Sequence, residues 1–348
     1  MDFSKIDKNF EVKTTIDKDD IRFYNVDEEP FKVYGIFREN GKYRRMPEAV
    51  AKSVSEGVYA LHANTAGGRV RFVTDSPYVA IHVKLGKVER FPHFALTGSA
   101  GFDVYADGQP VKTYFPPVDV IDGYEGVFDF LDIREREINI NFPLYTDVIE
   151  LYIGLQENAA VKEASPYVNT LPVVYYGSSI TQGGCASRPG MSYQEIVSRK
   201  LNLDYVNLGF SGSARAEDEM IDYIKGLDMA AFVYDYDHNA PTVEHLKDTH
   251  SKMFEAIRSE QPDLPIIIMN RPRLELGSAE MQRKEIIQAT YNNALAKGDK
   301  NVYFIDNEKL CELCGSNGLA DTCHPSDFGF NSMAVAVSEV IEKIQLKN

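Results

Sequence analysis

Four short blocks in the second half of this 348-residue chain hold side chains that could do chemistry together. In Gly177-Ser178-Ser179-Ile180-Thr181-Gln182-Gly183-Gly184 a small residue precedes a serine where an apolar run gives way to a loop. A tight strand-to-loop turn there can expose the Ser179 hydroxyl and leave backbone N–H groups free to meet an oxyanion. In Asp321-Thr322-Cys323-His324 a carboxylate stands three residues before an imidazole. It can fix the tautomer and leave the other ring nitrogen as a base. Pro325 biases His324 toward an extended backbone, which helps to pin its direction. Between these blocks lie Gly212, which permits close backbone approach to a ligand and a positive φ, and Asn239, whose amide can donate to developing negative charge.

Each block alone has a plainer reading: a Gly/Ser-rich turn or phosphate cradle, a loop glycine, an Asx-turn capping the next helix, a loop histidine beside a helix-capping aspartate. The dinucleotide fingerprint G-x-G-x-x-G and the G-K-[ST] of a P-loop are both absent from the serine block, which counts against nucleotide binding. Of the other histidines, His62, His82 and His93 lie in a strand-rich first half and His245 and His250 in a helical stretch. Those five read as surface or strand positions, so His238 alone competes with His324. Cys311-Glu312-Leu313-Cys314 followed by Cys323-His324 could hold a zinc ion. Because His324 already belongs with Asp321, no metal is expected, and no organic cofactor. Arg271 and Arg273 follow the fourth apolar run of this half. With Asp237 and His238, Arg271 is a candidate substrate contact, against the alternative of solvated loop arginines. Phe91, Phe94, Phe102, Tyr105, Tyr114 and Phe115 could stack on sugars, although their spacing suits a strand core.

The elements that must position these groups follow from periodicity. From about Glu11 to Gln156 short runs alternate apolar and polar, as in Arg69–Val73, Val79–Leu85, Glu137–Phe142 and Val148–Ile153. Turn signals such as Ala66-Gly67-Gly68, Asp75-Ser76-Pro77 and Asp107-Gly108 separate them, which predicts an all-β sandwich or jelly roll. After Leu171-Pro172 five apolar runs, Val173–Tyr176, Tyr205–Leu208, Ala231–Asp235, Ile266–Met269 and Val302–Ile305, each precede a segment of helical spacing. The clearest stripe is Phe330, Met333, Ala334, Val337, Val340, Ile341 and Ile344. Strands alternating with helices predict a parallel sheet in a three-layer α/β/α sandwich, with the active site beyond the carboxyl ends of the strands. All four chemical blocks fall at such ends. Residues 157–171 have neither period, so the chain divides into a β-sandwich domain, 1–165, and an α/β/α domain, 166–348.

Serine, glycine, asparagine and Asp-x-x-His in this order resemble the SGNH (GDSL-like) hydrolase superfamily across roughly residues 172–345, which has a flavodoxin-like α/β/α fold. The resemblance implies that Ser179 is the nucleophile, that Asp321 and His324 complete the triad, and that Gly212 and Asn239 join Ser179 in the oxyanion hole. Ser178 stands where the better-known nucleophile block has Asp. The third block reads Asp237-His238-Asn239-Ala240 in place of Gly-x-Asn-Asp, which keeps Asn239 and leaves the roles of Asp237 and His238 open. Gly101-Phe102-Asp103-Val104-Tyr105 is similar to the Gly-x-Asp-Leu-Tyr motif of a β-sandwich domain that precedes some SGNH esterases, and residues 67–76 fit the same domain. Chains of this two-domain kind are similar to carbohydrate O-acyl esterases, with a few acyltransferases among them.

Composition narrows the partners. The chain is 44% hydrophobic and 26% charged, ordinary for a globular protein, and its formal charge is −15. Such an acidic surface repels phosphate backbones and anionic lipid, so nucleic acid and membrane are not expected. Met1–Lys8 lacks the apolar core of a signal peptide, no run is long enough to cross a membrane, and four cysteines make no disulfide scaffold. A cytoplasmic setting is expected. The predicted activity is hydrolysis of small O-acyl esters, O-acetyl above all, on a sugar or oligosaccharide. An acyltransferase with the same acyl-enzyme and a glycan-binding protein without catalysis are the alternatives. A homo-oligomer is compatible with the sequence and not specified by it.

Overall fold

The computed structural model describes residues 12–344 and Leu346. The N-terminal residues read for a signal peptide lie outside the described residues. Two large antiparallel sheets dominate the first half, beside a small hairpin of Phe37–Glu39 with Lys42–Arg44. One pairs Ile21–Asn25, Thr146–Gln156, Tyr78–Val88 and Gly123–Asp129 in that order. The other pairs Val161–Lys162, Arg69–Thr74, Arg136–Asn141, Phe102–Ala106 and Gln109–Tyr114, with Lys32–Tyr34 also on Arg69–Thr74. Val70, Phe72, Val104, Ile138 and Ile140 of one sheet share a core with Val79, Ile81, Val83, Leu151 and Ile153 of the other. This is the sandwich that period-two alternation predicts.

That half is not purely β. Helices Glu48–Val54 and Glu56–Leu61 interrupt it, the second capped by Ser55, whose hydroxyl accepts from Val58 N at 3.3 Å. Ala51, Val54 and Val58 face away from the sandwich and pack with Tyr176, Leu208, Phe210 and Met220 of the second half. The chain thus lends the α/β/α unit two short helices before that unit begins.

The second half holds five parallel strands, β1 (Val173–Gly177), β2 (Tyr205–Gly209), β3 (Ala231–Asp235), β4 (Ile266–Met269) and β5 (Val302–Ile305). Their order across the sheet is β2-β1-β3-β4-β5. Alternate strand residues face opposite layers. Val173, Tyr175, Val233 and Ile267 pack against α1 (Tyr193–Leu201) and α2 (Asp327–Ile341). Val174, Tyr176, Phe232 and Ile268 pack against helices Asp218–Lys225, Val243–Glu260 and Ser278–Ala296. The predicted stripe from Phe330 to Ile341 is the buried face of α2, and Ile344 packs just beyond its end. Strand order reverses between β1 and β3, and the crevice outside the carboxyl ends at such a switch point is where ligands bind in sheets of this kind.

Candidate active site

The four blocks predicted at strand ends surround that switch point. β1 ends at Gly177, where an added Cβ would lie 2.1 Å from Thr181 Oγ1 and 2.3 Å from the Asp235 carbonyl oxygen, so no larger residue fits. Directly after it, Ser178 caps the one-turn helix Ser179–Gln182, its hydroxyl accepting from Ile180 N at 3.2 Å. The cap thereby fills the place of the missing Asp. Ser179 is only 8% exposed, and its Oγ lies 2.9 Å from His324 Nε2. His324 Nδ1 lies 2.9 Å from Asp321 Oδ2. The other carboxylate oxygen of Asp321 accepts from the N–H groups of Cys323 and His324, both at 2.6 Å. Partial burial opposes ionisation of Asp321, but these hydrogen bonds, that from His324 foremost, hold it down at about 2. The carboxylate is therefore charged at neutral pH and fixes the Nδ1–H tautomer, with the Nε2 lone pair directed at the serine.

Donors for an oxyanion are available nearby. Among the described residues, no protein acceptor takes the N–H of Ser179, the N–H of Gly212 or the Nδ2 of Asn239. Asn239 is held by its oxygen, which accepts from Ala214 N at 3.4 Å, and so keeps its amide nitrogen free. Gly212 sits at φ +71° in open space, a conformation that glycine adopts without strain.

The proposed substrate contacts are placed otherwise than the sequence suggests. Arg271 gives Nε and Nη2 to the Asp237 carboxylate at 2.9 and 2.8 Å and Nη1 to Glu280 at 3.1 Å. Arg283 also reaches the Asp237 carbonyl, at 2.9 Å. Burial opposes the charge on Asp237, yet the Arg271 hydrogen bonds keep its carboxyl below the usual range. Asp237 and Arg271 thus brace the loop that carries Asn239 and have no free polar atoms to offer a ligand from the paired side. His238 Nδ1 lies 3.6 Å from Cys323 Sγ, its buried Nε2 has no partner, and burial pulls the ring down to about 4, so it is neutral at working pH. It is no rival base. The Cys314 thiol donates to the Cys311 and Gly315 carbonyls and Cys323 meets His238, so among the described residues the Cys-Cys-Cys-His spacing does not assemble a four-ligand cluster.

Several residues that matter here came from the first half. The Phe91–Phe94 loop walls the serine: Phe94 stands 5.7 Å edge-on to the His324 ring and 4.8 Å from Tyr145, whose hydroxyl donates to the Ser179 carbonyl at 3.3 Å. His93, expected on the surface or in a strand, lies 5.5 Å ring to ring from His324. Gln182, inside the serine block, gives Nε2 to Asn64 Oδ1 and the Leu144 carbonyl, both at 3.1 Å, while its oxygen accepts from Ser211 N at 3.1 Å. The wholly buried Arg45 reaches the carbonyls of Gly209, Asn207 and Leu61 at 2.6, 3.1 and 2.8 Å. Under the serine, Asp235 accepts from Thr181 Oγ1 at 2.8 Å and from the Tyr193 hydroxyl at 3.2 Å, its other oxygen unpartnered. Burial pushes its carboxyl up to about 7.

Comparison with known proteins bears on the family and the fold. Residues 170–342 match the model of the GDSL-like lipase/acylhydrolase family, and residues 21–161 match that of the N-terminus of SGNH-hydrolase-type esterases. No curated protein matches the chain. A crystal structure from Bacteroides ovatus ATCC 8483, described as a GDSL-like lipase, is 28% identical with a TM-score of 0.83, covering 94% of this chain and all of its own. The salicylyl-acyltransferase of a tetracycline biosynthetic pathway is 18% identical with a TM-score of 0.74, over 94% of this chain and 99% of that one. A family two carbohydrate esterase from Clostridium thermocellum, in complex with cellohexaose, is 16% identical with a TM-score of 0.58, over 81% and 93% of the two chains. The last two likenesses are of fold.

Proposed function

From a chain whose residues 170–342 belong to the GDSL-like lipase/acylhydrolase family and whose residues 21–161 belong to its esterase-associated N-terminal family, we propose a serine esterase that removes small O-acyl groups, O-acetyl first, from a carbohydrate. The observation that carries the reading is the unbroken hydrogen-bond chain from Ser179 Oγ through His324 to Asp321 at the switch point of the sheet. His324 Nε2 takes the serine proton as Oγ attacks the ester carbonyl, and Asp321 stabilises the imidazolium that forms. The N–H groups of Ser179 and Gly212 and the amide of Asn239 receive the oxyanion. The imidazolium then gives its proton to the leaving alcohol, and water releases the acid by the same steps.

Two features support a small acyl group and a sugar. An added Cβ on Gly184 would lie 3.0 Å from both Phe94 Cζ and the Tyr145 hydroxyl, so the rings crowd the strand of chain beside the serine. The half-buried rings of Phe91 and Phe94 beside the serine suit a pyranose face. The likeness to an acyltransferase favours a second reading, in which an alcohol other than water takes the acyl group. All four cysteines are free thiols, which supports a reducing, cytoplasmic setting, and among the described residues no helix is long and apolar enough to cross a membrane.

The test is acetate release from a panel of acetylated oligosaccharides by native protein and Ser179→Ala side by side, with a fluorophosphonate probe as control. Release by native protein alone bears the reading out. Probe labelling of Ser179 with no release, and acyl transfer once an acceptor alcohol is added, selects the second reading. Absence of labelling removes both and leaves a glycan-binding protein.

A further inference from the structure

One cluster beside the serine is used by neither reading in full. His93, on the loop from the β-sandwich, Cys185, three residues past the nucleophile helix, and the pair Asp321 and His324 each present one ligand atom, all within 4.8 Å of one another. Two imidazoles, a thiol and a carboxylate make up a donor set for zinc, a borderline-soft ion that takes nitrogen, sulfur and oxygen in a tetrahedron. Tetrahedral ligand atoms stand roughly 3.4–3.8 Å apart at zinc bond lengths, so the four must draw together by about 1 Å. His93 is exposed and Cys185 half-exposed, which gives an ion an entry path and the side chains room to turn.

We propose that this cluster is an inhibitory site for a thiophilic divalent cation, zinc above all, built across the two halves of the chain. The proposal rests on the triad reading, because its consequence follows from what His324 does. An ion held there takes a lone pair of the His324 ring. Bound at Nε2 it displaces Ser179, and bound at Nδ1 it displaces Asp321 and drives the remaining proton onto Nε2. In either geometry the serine loses its base. Cys185 is protonated when free, burial pushing its thiol up to about 12, and it releases that proton on binding, as coordinating thiols do. The ion is a stopper and takes no part in turnover.

The experiment is calorimetric titration of Zn2+ into the metal-free full chain, its Ser179→Ala variant and its Cys185→Ser variant, with Co2+ absorption on the same three proteins. One Zn2+ per native chain is expected, with equal affinity in Ser179→Ala and a thiolate-to-cobalt charge-transfer band in both. Even loss of an outer-shell partner weakens a metal site about 10–100-fold, so Cys185→Ser should lose at least tenfold in affinity and should lose the band. Ester hydrolysis by native protein should stop as Zn2+ saturates the site and return with a chelator. No saturable binding, or binding and band unchanged in Cys185→Ser, overturns the site, and full hydrolysis with the site saturated overturns its inhibitory role. A metal-free protein that cleaves no ester counts against the esterase reading instead, while calorimetry still decides the site.

Discussion

Replacing Asp321 by Asn should disable the protein more thoroughly than replacing it by Ala, and the reason lies in the two oxygens of the carboxylate. One accepts from the N–H groups of Cys323 and His324, each at 2.6 Å, and the other from His324 Nδ1 at 2.9 Å. An asparagine must choose. With its NH2 toward the backbone, it faces two N–H donors with a third, and each donor left unsatisfied costs about 1–3 kcal/mol. With its oxygen toward the backbone it keeps both hydrogen bonds and turns its NH2 to the imidazole, which then accepts at Nδ1 and carries its proton on Nε2. Choosing between imidazole tautomers costs far less than two orphaned donors, so the second arrangement wins. Nε2–H then points at Ser179 Oγ, 2.9 Å away, and the base is gone. A triad held in the wrong tautomer loses about 10⁴ in kcat. Asp321→Ala leaves the ring free to take either tautomer and should retain more activity. The assay is kcat on an acetyl ester for native, Asp321→Asn and Asp321→Ala, with thermal melts to confirm that all three fold. An Asp321→Asn protein within tenfold of native, or one more active than Asp321→Ala, would refute the argument.

Asn239→Ala should lower kcat by about 10²–10³ with little change in KM, the loss typical of one oxyanion donor; steady-state kinetics decide it, and an unchanged kcat removes Asn239 from the hole. Gly212→Ala meets nothing within 4 Å, so it should fold at a cost of about 1–2 kcal/mol for a left-handed alanine. Gly177→Ala, clashing with the Asp235 carbonyl, should not accumulate as soluble protein, and comparable yields and melts for the two variants would contradict this. Asp235 has a carboxyl raised to about 7 against about 3.9 unfolded. Its contribution is full below pH 4 and falls by up to about 4 kcal/mol as pH rises to 7, because only the unfolded chain ionises freely there. Asp235→Asn should therefore gain on native protein between pH 5 and pH 8 in denaturant melts, and a gap that does not change with pH counts against the assignment. Arg69, wholly buried, pairs with Asp204 and donates to Tyr167 Oη and the Gly67 and Tyr205 carbonyls. Arg69→Met should cost about 3 kcal/mol in urea unfolding, from a broken buried pair, and a loss below 1 kcal/mol would show that the link is dispensable.

The serine and Asn239 were readable because each lies within a few residues of a strand end, and the Asp-x-x-His pair because it stands just ahead of the strongly striped last helix, Asp327–Ile341. The helices at 48–61 were missed: Ala51, Val54 and Val58 keep helical spacing, but the all-β reading of that half rested on the period-two runs further along the chain. Arg271 was placed on the correct side of the sheet, yet its partners Asp237 and Glu280 lie 34 and 9 residues away, and no local rule tells a paired arginine from a waiting one. Arg45 reads as surface charge next to Arg44, and nothing near it announces a carbonyl 164 residues later. His93 fails to stand out for the same reason, and nothing local separates Phe94, one of the rings that could stack on sugars, from the core aromatics around it. A turn in the sandwich owes its role to where the other half docks, and docking has no period.

These long-range contacts converge on the loop that carries Gly212, a proposed oxyanion donor. Gln182 holds Ser211 N with its oxygen and the sandwich with its nitrogen, so the nucleophile helix and the approach to Gly212 are fixed against one body. Arg45 fixes the end of β2 from below through the Gly209 carbonyl. Among the described residues it has no carboxylate partner, and burial lowers its guanidinium only to about 10, so it remains charged at neutral pH. Three carbonyls carry that charge, and moving β2 would strip the guanidinium of two of them, Asn207 and Gly209, at a cost of several kcal/mol. Oxyanion donors stabilise a transition state only when they are already in place. The buried arginine and the bridging glutamine, both anchored in residues from the first half, are what hold the Gly212 loop in place before a substrate arrives.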